Sequence, residues 1–209
     1  MSPLVIAVAK GYLWTAYQEC LAAQGIELDP KDTDSRKLSV RDRSGNFEFL
    51  IVRSTDVPVY VQEGAADLGI VGQDVLAENP ADVIDLFPLP FAGCRLVLAA
   101  LKGAAKTVPQ NARVATKYIH LTQRYFYEHN TKITPIKLYG AIELAPSRGL
   151  SDYVTDLVVT GNTLKENGLV ELETIFTSTA TLIANPMSLK SKYTDISSYY
   201  TQLREHYAS

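Results

Sequence analysis

Asp156, Thr160, Gly161, Asn162 and Thr163 fall in one run, Asp-Leu-Val-Val-Thr-Gly-Asn-Thr-Leu, which ends at Leu164. An acidic residue inside an apolar strand, followed by a hydroxyl- and glycine-rich turn that opens a helix, has the parts of a phosphate cradle. Amides at a helix start have no intrahelical partner, and the helix dipole favours an anion there. Gly161 permits close approach of the backbone, and the hydroxyls of Thr160 and Thr163 add donors. Asp156, and Asp152 before it, could accept hydrogen bonds from sugar hydroxyls. An N-capped helix following a strand fits the same residues, so the turn alone leaves both readings open.

Further candidates for anion contact are cations at strand ends and on polar loops. Lys10 follows the first strand, where it could meet a phosphate or simply be solvated. Arg36 and Lys37 lie on a polar stretch, and Arg53 follows a second strand. Guanidinium groups suit bidentate phosphate binding, although an ion pair of Arg53 with Asp56 competes with that role. Glu143 stands just beyond a strand, where it could face a ligand or cap a helix. Cys20 and Cys94 lack C-x-x-C spacing, and His120, His129 and His206 match no zinc pattern. Lys and Arg total 20 against 23 Asp and Glu, a net charge of -3, which argues against a general binder of nucleic acid or anionic membrane. Any anion site must therefore be local.

The elements that would position these residues follow a β-turn-α rhythm. Residues 4–9 are an aliphatic strand, 12–24 a helix, 47–52 a strand, 58–64 a helix opened by Pro58, 68–71 a strand and 73–78 a helix. The segment Phe87-Pro88-Leu89-Pro90-Phe91 interrupts the rhythm and is a candidate crossing between domains. Strands are expected at 95–101, 114–116, 136–138, 154–159, 172–175 and 181–184. Helices are expected at 122–129, with Thr122 as N-cap, at 164–167, and over most of 188–207. Strands alternating with helices imply parallel sheets covered on both faces. At 209 residues, 46% apolar and 21% charged, the chain has the composition of a soluble globular protein and the length of two small α/β units. The expected division is 1–90 plus 178–209 against 91–177, with a ligand cleft between. No basic leader with a long apolar segment opens the chain and no stretch reaches the ~20 apolar residues of a membrane span, so the expected location is cytoplasmic, without membrane attachment.

Glu143, Gly149, Ser151, Val154, Asp156, Leu157, Thr160, Gly161, Thr163 and Leu164 match, with the expected gaps, the signature of the ATP phosphoribosyltransferases. The resemblance extends through Ser35-Arg36-Lys37-Leu38, Val52-Arg53 with Asp56-Val57-Pro58, residues 64–72, Cys94-Arg95 and Ala115-Thr116-Lys117-Tyr118. With one terminal helix and no added domain, the chain resembles the short form of that family. The resemblance implies a two-lobed, type II periplasmic-binding-protein-like α/β fold with parallel or mixed sheets. It also implies a homodimeric catalytic unit and a separate regulatory subunit similar to histidyl-tRNA synthetase.

The implied reaction joins N1 of the adenine of ATP to C1 of 5-phosphoribosyl diphosphate and releases diphosphate, opening histidine biosynthesis. The resemblance places Thr160, Gly161, Asn162 and Thr163 on the 5-phosphate and Asp156 and Glu143 toward the ribose hydroxyls. It assigns Arg36 and Lys10 to catalysis and to ATP, Arg53 to ATP, and Mg2+ mainly to substrate oxygens rather than a protein cage. The family commonly reads Lys-Gly-Arg after the first strand, whereas this chain reads Lys10-Gly11-Tyr12, and a tyrosine cannot neutralise charge. Two alternatives share the fold or the chemistry: a non-catalytic solute-binding module, and a phosphoribosyltransferase acting on a free base.

Overall fold

The computed structural model describes residues 2–30 and 37–208, so Arg36 lies outside the described residues. The chain divides into two compact units, Met1–Ala92 with Thr179–Ser209, and Gly93–Ser178.

The first unit opens with Leu4–Ala9 (β1), Tyr12–Ala23 (α1), Ser39–Arg41 (β2), Phe47–Val52 (β3), Val57–Gln62 (α2), Leu68–Gly72 (β4) and Gln73–Glu78 (α3). Next comes Ile84–Leu101 (β5), which carries the chain into the second unit. β1 runs parallel to both β3 and β4, while β2 adds an antiparallel edge to β3. Both faces of β1 and β4 are buried, which is why they are near-continuous aliphatic runs rather than alternating ones. Ile6, Val8, Leu68 and Ile70 are all fully buried.

The second unit contains Ala112–Thr116 (β6), Ile119–Glu128 (α4), Ile133–Lys137 (β7), a 3-10 turn Ile142–Leu144, Tyr153–Val158 (β8) and Asn162–Glu166 (α5). Leu169–Ala184 (β9) then returns to the first unit, which closes with Pro186–Ser191 (α6) and Tyr193–Ala208 (α7). In the second unit β8 lies between β5, antiparallel, and β6, parallel, with β7 parallel to β6 on the outside. Successive residues of β5 point to opposite faces, so Val97 and Ala99 join one core cluster and Leu98 and Ala100 the other. Three buried hydroxyls pin α4 to the sheet. Thr122 bonds to Thr155 at 2.6 Å, and Thr116 accepts from the Tyr118 amide at 2.9 Å and from Thr122 at 3.4 Å.

In the first unit the last helices are fastened by charge and by aromatic hydroxyls. Buried Asp67 accepts from Lys192 Nζ at 2.7 Å, from Ser188 Oγ at 2.8 Å and from the Val5 amide at 2.9 Å. The hydroxyls of Tyr17 on α1 and Tyr199 on α7 share a hydrogen bond inside the core, where burial pushes both pKa values up. β4 passes so closely beneath α2 that a Cβ on Gly69 would lie 2.8 Å from Val61 and 2.9 Å from Val57 and Ile183. All three are buried branched side chains that cannot step aside, so Gly69→Ala is expected to cost about 1–3 kcal/mol. A lowered urea midpoint with an unchanged m-value is the measurement that checks it.

Several elements differ from the sequence expectation. The Phe87–Phe91 proline segment does not interrupt the sheet but lies within β5. Pro88 and Pro90 are both exposed and two positions apart, so they withhold donors from one edge only, and Leu89 between them is fully buried. The expected strands at 172–175 and 181–184 are one continuous β9 of 16 residues. Thr122 is not an N-cap: α4 begins at Ile119, and Thr122 is buried inside it. The single terminal helix is two, parted at Lys192. The polar stretch before β3 holds β2, a three-residue edge strand too short to carry a pattern. Of the parallel or mixed sheets expected, mixed pairing is what forms, since β2, β5 and β9 each make antiparallel pairs.

Candidate active site

β8 ends at Val158, and the chain then turns through Val159, Thr160 and Gly161 into α5. Gly161 takes φ +79, a left-handed conformation that L side chains rarely adopt. It is the residue that caps α5, and having no side chain it makes no capping hydrogen bond. A side-chain cap, which would have filled the donors itself, is therefore not what this turn forms. Among the described residues, the amides from Thr160 to Thr163 and the hydroxyls of Thr160 and Thr163 have no hydrogen-bond partner.

These donors face a cavity of about 240 Å³ lined by Glu143, Asp156, Leu157, Val158, Val159, Thr160, Gly161, Thr163 and Leu164. The volume is below the ~300–1,000 Å³ of sites for drug-sized ligands, so it suits a sugar-phosphate fragment rather than a whole nucleotide. Asn162 opens α5 with an exposed side chain and does not line the cavity.

The acidic wall comes from two separate elements. Asp156 sits on β8 opposite Val97 of β5, and Glu143 sits in the 3-10 turn Ile142–Leu144, entered through Ala141 at φ +51. Burial pushes the Asp156 carboxyl up to about 6; the hydrogen bond from the Leu157 amide at 2.8 Å and the charge of Lys117 oppose the rise, and the charge of Glu143 adds to it. Desolvation prevails, so near neutral pH this carboxylate is poised close to its titration. Lys117, whose charge acts on Asp156, is a residue that local reading misses. Its signal is the one that marks Lys10: it directly follows the carboxyl end of a strand, here β6.

Asp152 does not join the cavity. It sits before β8, at the end away from the turn, where it accepts from the Arg113 guanidinium at 2.8 Å and from the Arg113 amide at 2.8 Å. That guanidinium holds the Asp152 carboxyl below the usual carboxylate range. Four residues of extended chain carry a side chain about 13 Å along, so Asp152 and Asp156 serve different ends of the same strand.

Lys10 and Arg53 belong to the first unit, at the carboxyl ends of the paired strands β1 and β3. The Lys10 amide donates to the Val52 carbonyl at 2.7 Å, which places the two cations side by side on that edge. The expected competing pair is absent: Asp56 contacts Arg53 only through the backbone, and its carboxylate accepts from Thr55. Neither Lys10 nor Arg53 has a counter-ion among the described residues. Tyr12, the first residue of α1, is exposed, and its hydroxyl makes no hydrogen bond among the described residues.

The geometry agrees with what the chain is similar to. The family profile HisG, ATP phosphoribosyltransferase, matches residues 53–205. An ATP phosphoribosyltransferase of Geobacter metallireducens is 42% identical over 207 residues, covering 97% of this chain and 98% of the relative. Among solved structures, the ATP phosphoribosyl transferase (HisG:HisZ) complex from Thermotoga maritima matches with a TM-score of 0.82 and 34% identity, covering 97% of this chain and 98% of that one. The alkanesulfonate-binding protein SsuA from Xanthomonas axonopodis pv. citri matches with a TM-score of 0.63 at 14% identity over 99% of this chain and 73% of its own, a likeness of fold. The transferase name recurs where identity is high and the binding-protein likeness persists only where it is low, which decides between an enzyme and a solute-binding module. On sequence, length and fold together, the chain belongs to the ATP phosphoribosyltransferase family.

Proposed function

We propose that the turn 159–163, with Asp156 and Glu143, binds the 5-phosphoribosyl part of phosphoribosyl diphosphate and presents C1 to N1 of the adenine of ATP. The observation that carries this reading is the uncapped turn, with free amides and hydroxyls, beside two carboxylates in a cavity of sugar-phosphate size. Amides and hydroxyls of Thr160 to Thr163 hold the monoester. Asp156 and Glu143 accept from the ribose 2- and 3-hydroxyls and fix the ring. Attack by the N1 lone pair forms the N1–C1 bond while the C1–O bond breaks, and diphosphate departs with the bonding pair. Positive character grows on the sugar, so carboxylates held against it stabilise the transition state more than the ground state.

Lys10 and Arg53, whose charges no group among the described residues balances, are assigned to the phosphates of ATP and the departing diphosphate. Arg36 shares that assignment on the resemblance alone. Mg2+ bound to the diphosphate would supply charge neutralisation of the leaving group. In this reading the ion would be carried on substrate oxygens and water rather than in a protein cage. The reading includes a homodimer, association with a regulatory subunit of the HisZ kind, and a cytoplasmic setting. Among the described residues no helix is long and apolar enough to cross a membrane.

The test combines the purified chain with Mg2+, ATP and phosphoribosyl diphosphate, with and without a HisZ-type subunit, and follows the product by mass. Phosphoribosyl-ATP and diphosphate in equal amounts are expected. AMP formed from free adenine instead would assign the free-base transferase.

A further inference from the structure

Arg95 and Glu171 lie just behind the phosphate turn and take no part in the cavity. Arg95 is on β5, opposite Val158 in the ladder with β8, at the level where β8 gives way to the turn. Its guanidinium donates to Thr174 Oγ1 at 3.0 Å and lies 3.2 Å from Glu171 Oε2, both residues being on β9. The second carboxylate oxygen of Glu171 rests against Gly161, 2.7 Å from where a Cβ on that glycine would stand.

Both side chains are partly exposed, 42% and 33%, and an ion pair of that exposure adds little to folding stability. Their placement has an electrostatic consequence instead. If the turn holds the monoester as proposed above, that dianion would meet Asp156 and Glu143 on the cavity side and a third carboxylate, Glu171, through the backbone of Gly161. Like charges at such separations oppose binding unless one of them is compensated.

We propose that Arg95 is a positioning residue for the phosphoribosyl site. It neutralises Glu171 and holds that carboxylate against Gly161, so the turn keeps its shape without repelling the incoming phosphate.

The test is a charge-reversal cycle in the full chain, with its regulatory subunit if turnover requires it. The readouts are separate KM values for phosphoribosyl diphosphate and ATP, with thermal denaturation of each variant to show that it folds. Arg95→Ala is expected to raise KM for phosphoribosyl diphosphate about tenfold, with KM for ATP unchanged, because Glu171 is left uncompensated. Glu171→Gln is expected to lower it about threefold, and the double variant to return it to within about twofold of the parent, since no unbalanced charge then remains. Arg95→Lys, which keeps the charge, is expected to stay within about threefold of the parent.

A double variant as impaired as Arg95→Ala, or an equal rise in both KM values, would overturn the proposal and make Arg95 a direct ligand or a general support. The underlying reading is tested apart from this, by whether ribose 5-phosphate inhibits the parent competitively against phosphoribosyl diphosphate. Competition with a failed charge cycle removes only the role of Arg95, whereas absence of competition removes the phosphate turn itself and the proposal with it.

Discussion

Asp156→Asn, which keeps the size of the side chain and removes its charge, is expected to lower kcat/KM for phosphoribosyl diphosphate by about 10²–10³-fold. Hydrogen bonds to a charged acceptor contribute about 1.5–3 kcal/mol each, and two ribose hydroxyls on one carboxylate reach the ~3–4 kcal/mol that this loss represents. KM for ATP should change far less. The same substitution acts on stability in the opposite direction. Burial holds the Asp156 carboxyl at about 6, above its ordinary value of 3.8. Between those two values the folded chain keeps a proton that the unfolded chain has released, so this group's contribution makes stability fall as pH rises from about 4 through about 6. The full span amounts to roughly 3 kcal/mol, and above pH 6 Asp156→Asn is expected to be the more stable protein by about that amount. Urea denaturation of parent and variant at pH 4 and pH 7.5 checks the sign. Parental affinity for phosphoribosyl diphosphate is expected to rise with pH through about 6 as Asp156 ionises. A phosphate monoester titrates near pKa ~6 as well, so the informative quantity is the part of the rise that vanishes in Asp156→Asn.

Gly161→Ala is expected to cost about 10²-fold in kcat/KM for phosphoribosyl diphosphate, because a displacement of order 1 Å in a substrate-positioning element costs that much. Two strains act together. Alanine at φ +79 costs about 1–2 kcal/mol for the left-handed backbone, and its Cβ would stand 2.7 Å from Glu171 Oε1 and 3.6 Å from Val158 Cγ1. The turn must therefore move, and with it the amides proposed to hold the monoester. Gly168, at the far end of α5, has φ +74 and nothing within 4 Å of its Cβ position. Gly168→Ala thus carries the backbone cost without the collision, and steady-state kinetics of the two variants separate strain in general from displacement of this turn. Equal activity losses would show that the turn has no special role.

How much of the fold can be read from the sequence follows the range over which its physics acts. β1 and β4 declare themselves because a strand buried on both sides needs an unbroken apolar run, and the turn at Gly161 declares itself because strand, glycine and hydroxyls are neighbours in the chain. The continuity of β5 through two prolines does not. Local rules penalise proline wherever it stands, and only the burial of Leu89 with the exposure of Pro88 and Pro90 shows that both prolines are tolerated here. Thr122 reads as a cap because hydroxyls favour helix starts, yet its partner Thr155 lies on another strand. The site divides the same way. Asp156 and the turn are legible, whereas Lys117, Arg95 and Glu171 arrive from β6, β5 and β9 and are joined to the turn only by the sheet. Asp152 is misassigned by local reading because proximity in sequence hides the partner, Arg113, that claims it.

The discontinuity of the first unit bears on how the chain matures as it leaves the ribosome. Residues 93–178 are continuous and can consolidate once they emerge, although they are second in order of synthesis. The amino-terminal portion must wait, because Asp67 lacks its ammonium and hydroxyl partners, and Tyr17 its phenolic one, until Ser188, Lys192 and Tyr199 are made. Translation thus finishes the later-encoded segment first, and the earliest-made strands depend on the last-made helix.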